Sequence, residues 1–181
     1  MTVVTSEIAL PARTWAIDPV HSSVSFEIAY LVGTFRGQFR EVHARLVVGG
    51  DGATLTGSAR VASVDVKDEN LAAHLQSPEF FDAERHPELR FESAELEQDG
   101  SGLTASGELT IKGITQLVEL QGTVTDPAVD PYGRERIGVT LEATVDRTAF
   151  GLNWNVPLPS GEPALANAVS ITAELYFVRE A

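Results

Sequence analysis

The sequence predicts an all-β, antiparallel fold carrying one short helical insertion. Three observations support that prediction: apolar and polar residues alternate with period two along most of the chain, turn residues punctuate the alternating runs, and one segment alone switches to helical spacing. Val24, Phe26 and Ile28 alternate with Ser23, Ser25 and Glu27, the pattern of a strand with one buried and one wet face. The same rhythm runs from Leu103 to Ile111, from Val118 to Val124, from Ile137 to Val145 and from Val169 to Phe177. Turn signals separate the runs at Gly49-Gly50-Asp51-Gly52, Asp99-Gly100-Ser101-Gly102 and Asp130-Pro131-Tyr132-Gly133. About eight or nine strands result, within the range of a sandwich or a closed barrel.

The helical insertion falls near residues 68–86. Leu71, His74 and Leu75 stand at i, i+3 and i+4 and share one helix face. Asp68 is placed to cap the start, and Pro78 ends the helix at or before Ser77. Phe80 and Phe81 follow directly, so the insertion has an apolar face and two rings with which to plug or cover one end of a barrel.

The 181 residues suit one domain, expected over residues 14–181 behind a loose tail of residues 1–13. Thirteen Lys and Arg against 26 Asp and Glu give a net charge of −13, which repels phosphate backbones and argues against nucleic acid as a partner. Cysteine is absent, which excludes disulfides, thiolate metal sites and cysteine nucleophiles. The start lacks a basic region and the run of about seven or more apolar residues that a secretory signal needs. No stretch reaches the roughly 18 apolar residues of a spanning helix. A cytoplasmic protein without stable membrane insertion is the expectation.

The apolar stripes share a size pattern. Leu55, Gly57, Ala59 and Val61 are small at the centre and branched at the ends, as are Leu103, Ala105, Gly107 and Leu109, and likewise Val118, Leu120, Gly122 and Val124. Aligned at one level, such positions leave an apolar lumen able to hold one small ligand. The same glycines also fit bulges and bends where a barrel curves.

Several stretches carry a resemblance: Trp15-Ala-Ile-Asp-Pro-Val-His21-Ser22, Phe26-x-Ile28, Gly37-x-Phe39, His74-Leu75-x-Ser77-Pro78-x-Phe80-Phe81-Asp82, Pro87-x-Leu89-x-Phe91, Gly107-x-Leu109-Thr-Ile-Lys-Gly113 and Arg147-x-x-Phe150-Gly151. In this order and spacing, over roughly residues 14–179, the chain resembles the YceI-like family of lipid-binding proteins. The resemblance implies a lipocalin-like, extended eight-stranded antiparallel β-barrel whose lumen holds a polyisoprenoid or similar long apolar molecule, with no established catalysis. The chain departs from the family where Leu71-Ala72 replaces an Arg-Asp pair and where Tyr30 replaces a frequent His, changes that tilt the helix face toward apolar contacts.

The candidate ligand-binding residues are Phe26, Ile28 and Phe39 on the early strands, and Leu71, His74, Leu75, Phe80 and Phe81 on the insertion. Ala59, Phe91, Ala105 and Gly107 on the middle strands, with Phe150 and Trp154 near the last turn, complete the set. The four histidines, His21, His43, His74 and His86, lack the short spacing of zinc sites, so no metal is expected. The strand glutamates fall on polar faces, Asp146-Arg147 reads as a local or packing ion pair near the last turn, and there is no Gly-x-Ser-x-Gly elbow or phosphate-cradling loop. No catalytic residue and no cofactor follow from these features.

The leading expectation is a carrier or storage protein for a polyisoprenoid or isoprenoid quinone, in the form of a homodimer. Two alternatives stand beside it. One is an enzyme acting on an apolar isoprenoid-like substrate with His21 or His74 as base. The other is a filled barrel serving as an interaction scaffold.

Overall fold

A computed structural model describes residue 10 and residues 12–50 and 52–180. Of the tail expected over residues 1–13, residues 1–9 and 11 lie outside the described residues, and the first strand opens at Arg13. Strands β1 (Arg13–Ile17), β2 (Ser23–Tyr30), β3 (Gly33–Phe39), β4 (Val42–Gly49), β5 (Gly52–Arg60) and the short β6 (Val64–Asp65) precede helix α1 (Glu69–Gln76). Strands β7 (Glu88–Asp99), β8 (Gly102–Ile111), β9 (Ile114–Val124), the short β10 (Ala128–Val129), β11 (Glu135–Asp146) and β12 (Leu165–Arg179) follow.

All belong to one antiparallel sheet, in which the order β1–β4–β5–β7–β8–β9–β11–β12 returns to β1 and closes an eight-stranded barrel. Closure depends on β12, whose 15 residues exceed the length of any neighbour. One edge of β12 pairs with β11 from Ala168 to Val178. Its other edge is shared: Phe177 to Arg179 pair with β1, while Leu165 to Glu174 pair with β2 across an irregularity between Leu165 and Val169. The β2–β3–β6 flap therefore continues the wall past the short β1, and α1 follows it.

The alternation read from the sequence sorts the side chains. In β4, Val42, Leu46 and Val48 are buried while His43, Arg45 and Val47 are exposed. In β11, Ile137, Val139 and Leu141 are buried and Glu142 is exposed. Around β1 the interior is filled: Trp15, Phe177 and Val139 are fully buried side chains. Each contributes about 1.5–3 kcal/mol through the apolar surface it removes from water.

Helix α1 occupies the predicted place. The Asp68 carboxylate accepts from Asn70 N–H at 2.8 Å and Leu71 N–H at 3.2 Å, and the helix stops at Ser77 ahead of Pro78. The chain then folds back under it, with Phe81 N–H donating to Leu75 O at 2.9 Å and Ala83 N–H to Gln76 O at 2.9 Å. With eight residues, α1 is not long and apolar enough to cross a membrane, nor is any other described helix.

Beside the solid end, charges lock the corner between β1 and β2. Arg136 donates from Nη1 to Asp18 Oδ2 at 2.8 Å and from Nε to Asp130 Oδ2 at 2.7 Å. Burial pushes the Asp18 carboxyl up, but donors on His21, Arg136 and Val20 outweigh it and hold the group at about 2. Asp130 is held at about 2 by Arg136 and by the Arg134 and Tyr132 N–H groups. A carboxyl whose folded value is depressed adds stability above its unfolded value, and loses it as pH falls through the folded value. Thermal melts should therefore show the barrel weakening as pH drops from 3.8 toward about 2. Arg136→Gln should melt lower than the parent at pH 7, with the gap narrowing at acid pH. A gap that does not change with pH would rule this lock out.

Candidate functional site

Opposite the solid end the interior opens into a cavity of about 320 Å³. Its walls come from β2, β3, α1, the loop behind α1, the start of β7, the ends of β8 and β11, the segment after β11, and the first half of β12. A narrower continuation of about 110 Å³ runs into the barrel, and the two share Val24, Leu89, Ile111 and Ile171 in their walls.

Ten of the expected residues converge on the main cavity. Phe26, Ile28 and Phe39 reach it from β2 and β3, and Leu71, His74 and Leu75 from one face of α1. Phe80, Phe81, Phe150 and Trp154 complete this group. Ala59 and Phe91 line the narrower continuation instead. Ala105 and Gly107, also expected at the ligand, line neither of these two cavities. Ala105 is fully buried. Gly107 lies against the neighbouring strand: a Cβ there would fall 2.1 Å from Glu92 O and 2.7 Å from Ser93 Cα, beside the irregularity between Ser93 and Glu95. Gly122 faces the same restriction, with 1.7 Å to Thr140 O. At these two positions the glycines permit the close approach of the neighbouring strand.

The rings form two groups. Phe26, Phe39 and Phe81 meet at centroid distances of 5.7, 6.5 and 5.6 Å, with Phe35 at 5.9 Å from Phe26. His74 packs edge-on against both Phe80 and Trp154 at 4.9 Å, and those two rings lie 5.3 Å apart. His74 Nε2 stands 2.7 Å from Glu79 Oε2 at the surface. Tyr30, 45% exposed, and the part-exposed His74 and Trp154 mark where the cavity meets solvent.

His21, one candidate base, does not line the cavity; its Nδ1 sits 2.7 Å from Asp18 Oδ2 and its side chain is exposed. Among the described residues no group of three or more His, Cys, Asp or Glu is arranged to hold a metal ion.

The sequence did not single out Arg147 as part of this site. Arg147 is 4% exposed, lines the cavity, and forms no direct ion pair with Asp146. The Asp146 carboxylate instead accepts from Thr148 N–H and Thr148 Oγ1. Burial lowers the Arg147 guanidinium below its usual value, and the nearby Asp146 charge opposes that shift. The signal available was local: an Arg directly after a strand, in Arg147-x-x-Phe150-Gly151, where a tight turn directs the side chain inward.

Comparison with known proteins agrees with this architecture. The family model described as the YceI-like domain matches residues 15–177. A UPF0312 protein of Staphylococcus epidermidis is 30% identical over 170 residues, covering 88% of this chain and 94% of that protein. A UPF0312 protein of Pectobacterium carotovorum is 33% identical over 107 residues, 59% of this chain; the match spans 56% of that relative's length. Among solved structures, a polyisoprenoid binding domain from Saccharophagus degradans superposes with a TM-score of 0.68 at 12% identity, covering 92% of this chain and 98% of that one. With a family model matched across nearly the whole barrel, the chain belongs to the YceI-like family.

Proposed function

We propose that this protein binds a long apolar lipid, a polyisoprenoid or isoprenoid quinone, inside the barrel and acts as its carrier or store. The observation behind this reading is the character of the cavity: about 320 Å³ walled almost wholly by aliphatic and aromatic side chains, with a narrow apolar continuation. Ligand pockets run from roughly 300 to 1,000 Å³ and are mostly apolar with few polar groups. A dry cavity of this kind forfeits dispersion contacts when empty and regains them with a chain inside. The polyisoprenoid binding domain of Saccharophagus degradans shares the architecture, which supports the choice of ligand class. Each methylene buried yields about 0.8 kcal/mol, so tight binding requires length rather than charge.

Native mass spectrometry of freshly purified protein, followed by organic extraction, tests this. A stoichiometric prenyl or quinone species is the expected result, and the same spectrum reads whether the carrier is the expected homodimer. A clean apo mass, with no uptake of added polyisoprenoid, would reject the carrier reading in favour of a scaffold.

A further inference from the structure

The lumen contains one feature that a purely apolar ligand leaves unexplained. Arg147 opens the tight turn after β11 and is 4% exposed. Its Nε donates to Ala166 O at 2.8 Å, and its Nη1 donates to Leu152 O at 2.6 Å and to Trp154 O at 2.8 Å. These bonds tie the segment after β11 to the barrel and use three of the five N–H donors of a guanidinium. For Nη2 there is no acceptor among the described residues, and no described carboxylate lies within ion-pair distance of the side chain. A buried cation with idle donors, whose neighbouring Asp146 carboxylate is engaged with Thr148 and makes no direct contact, is costly in an apolar surround.

Resting on the lumen reading above, we propose that Arg147 Nη2 receives the ligand's head group, and that the preferred ligand is an apolar chain ending in a single carboxylate. A carboxylate oxygen satisfies Nη2 with a charge-assisted hydrogen bond and supplies the counter-charge that Asp146, engaged with Thr148, does not supply directly. A diphosphate head would bring more negative charge than one guanidinium neutralises, into a protein of net charge −13. A hydroxyl or ester oxygen would fill the hydrogen bond and leave the cation uncompensated. The other polar groups on the cavity wall are Ser25, Tyr30 and His74, and none brings a second fixed positive charge.

Three probes with the same chain decide the matter: farnesoic acid, methyl farnesoate and farnesol, titrated into lipid-stripped protein at pH 8. The acid should bind about tenfold or more tightly than the ester and the alcohol, in line with a charge-assisted bond replacing a neutral one. In Arg147→Gln that preference should vanish, the affinity of the acid falling to that of the ester and the alcohol, with a retained melting transition as the folding control. Because Arg147 also holds three carbonyls and its loss can unfold the chain, the probe series on the unaltered protein stands as the independent measurement. Equal binding of all three probes would overturn the head-group assignment and leave the apolar lumen standing. Failure of all three to bind would overturn the lumen reading together with the inference drawn from it.

Discussion

Val169→Trp should leave the barrel folded and expel its lipid. Val169 projects from β12 into the cavity wall, opposite Val145 on β11 and Ile28 on β2. Enlarging a side chain in a filled core forces strain of typically 1–3 kcal/mol. Here the indole enters space of about 320 Å³. The melting temperature should therefore move little, while the indole takes the place of ligand carbon. Displacing about four methylene groups at ~0.8 kcal/mol each removes about 3 kcal/mol, or on the order of a hundredfold in Kd. Leu117→Trp, on a side chain 81% exposed, is the matched control and should bind as the parent does. The readout is displacement of a fluorescent polyene, together with a thermal melt of each variant. Parental affinity in Val169→Trp would place the ligand outside this cavity and defeat the carrier reading.

What the sequence revealed, and what it hid, follows from the range of the forces involved. Helix α1 was legible to the residue because its determinants are local: the Asp68 cap, the spacing of Leu71, His74 and Leu75, and the stop before Pro78. Ten cavity residues were legible because inward alternation and an apolar helix face both point at one interior. The double pairing of β12 with β1 and β2 along one edge was not legible, since it depends on where the chain turns the corner at Asp18. Asp146 and Arg147, expected as a local or packing ion pair, interact through their charges without direct contact; the tight turn sends the carboxylate to Thr148 and the guanidinium inward. Ala105 and Gly107 were placed in the lumen from side-chain size alone. Size does not reveal how closely the next strand approaches.

That close approach leads to the largest stability effects expected on the barrel wall. Gly122→Ala should destabilise the fold severely, because the new Cβ would stand 1.7 Å from Thr140 O and 3.0 Å from Leu141 Cα. Both contacts are backbone of β11, paired with β9 through Thr140↔Thr123 and Leu141↔Gly122, so relief requires part of the ladder to move. Gly107→Ala meets a comparable obstacle in Glu92 O and Ser93 Cα of β7. Losses of about 2–4 kcal/mol are expected from such overpacking. At about 2–4 °C per kcal/mol for a chain of this size, each variant should melt roughly 5–15 °C lower. Neither glycine lines the cavity, so whatever fraction remains folded should retain lipid at the parental ratio. Differential scanning calorimetry, paired with lipid quantification on the same sample, separates the two roles. A normal melt with lost lipid would return Gly107 to the lumen and reject the strand-contact account. A lowered melt with lipid retained establishes that these glycines shape the wall, and that the cavity is bounded by larger side chains elsewhere in the barrel.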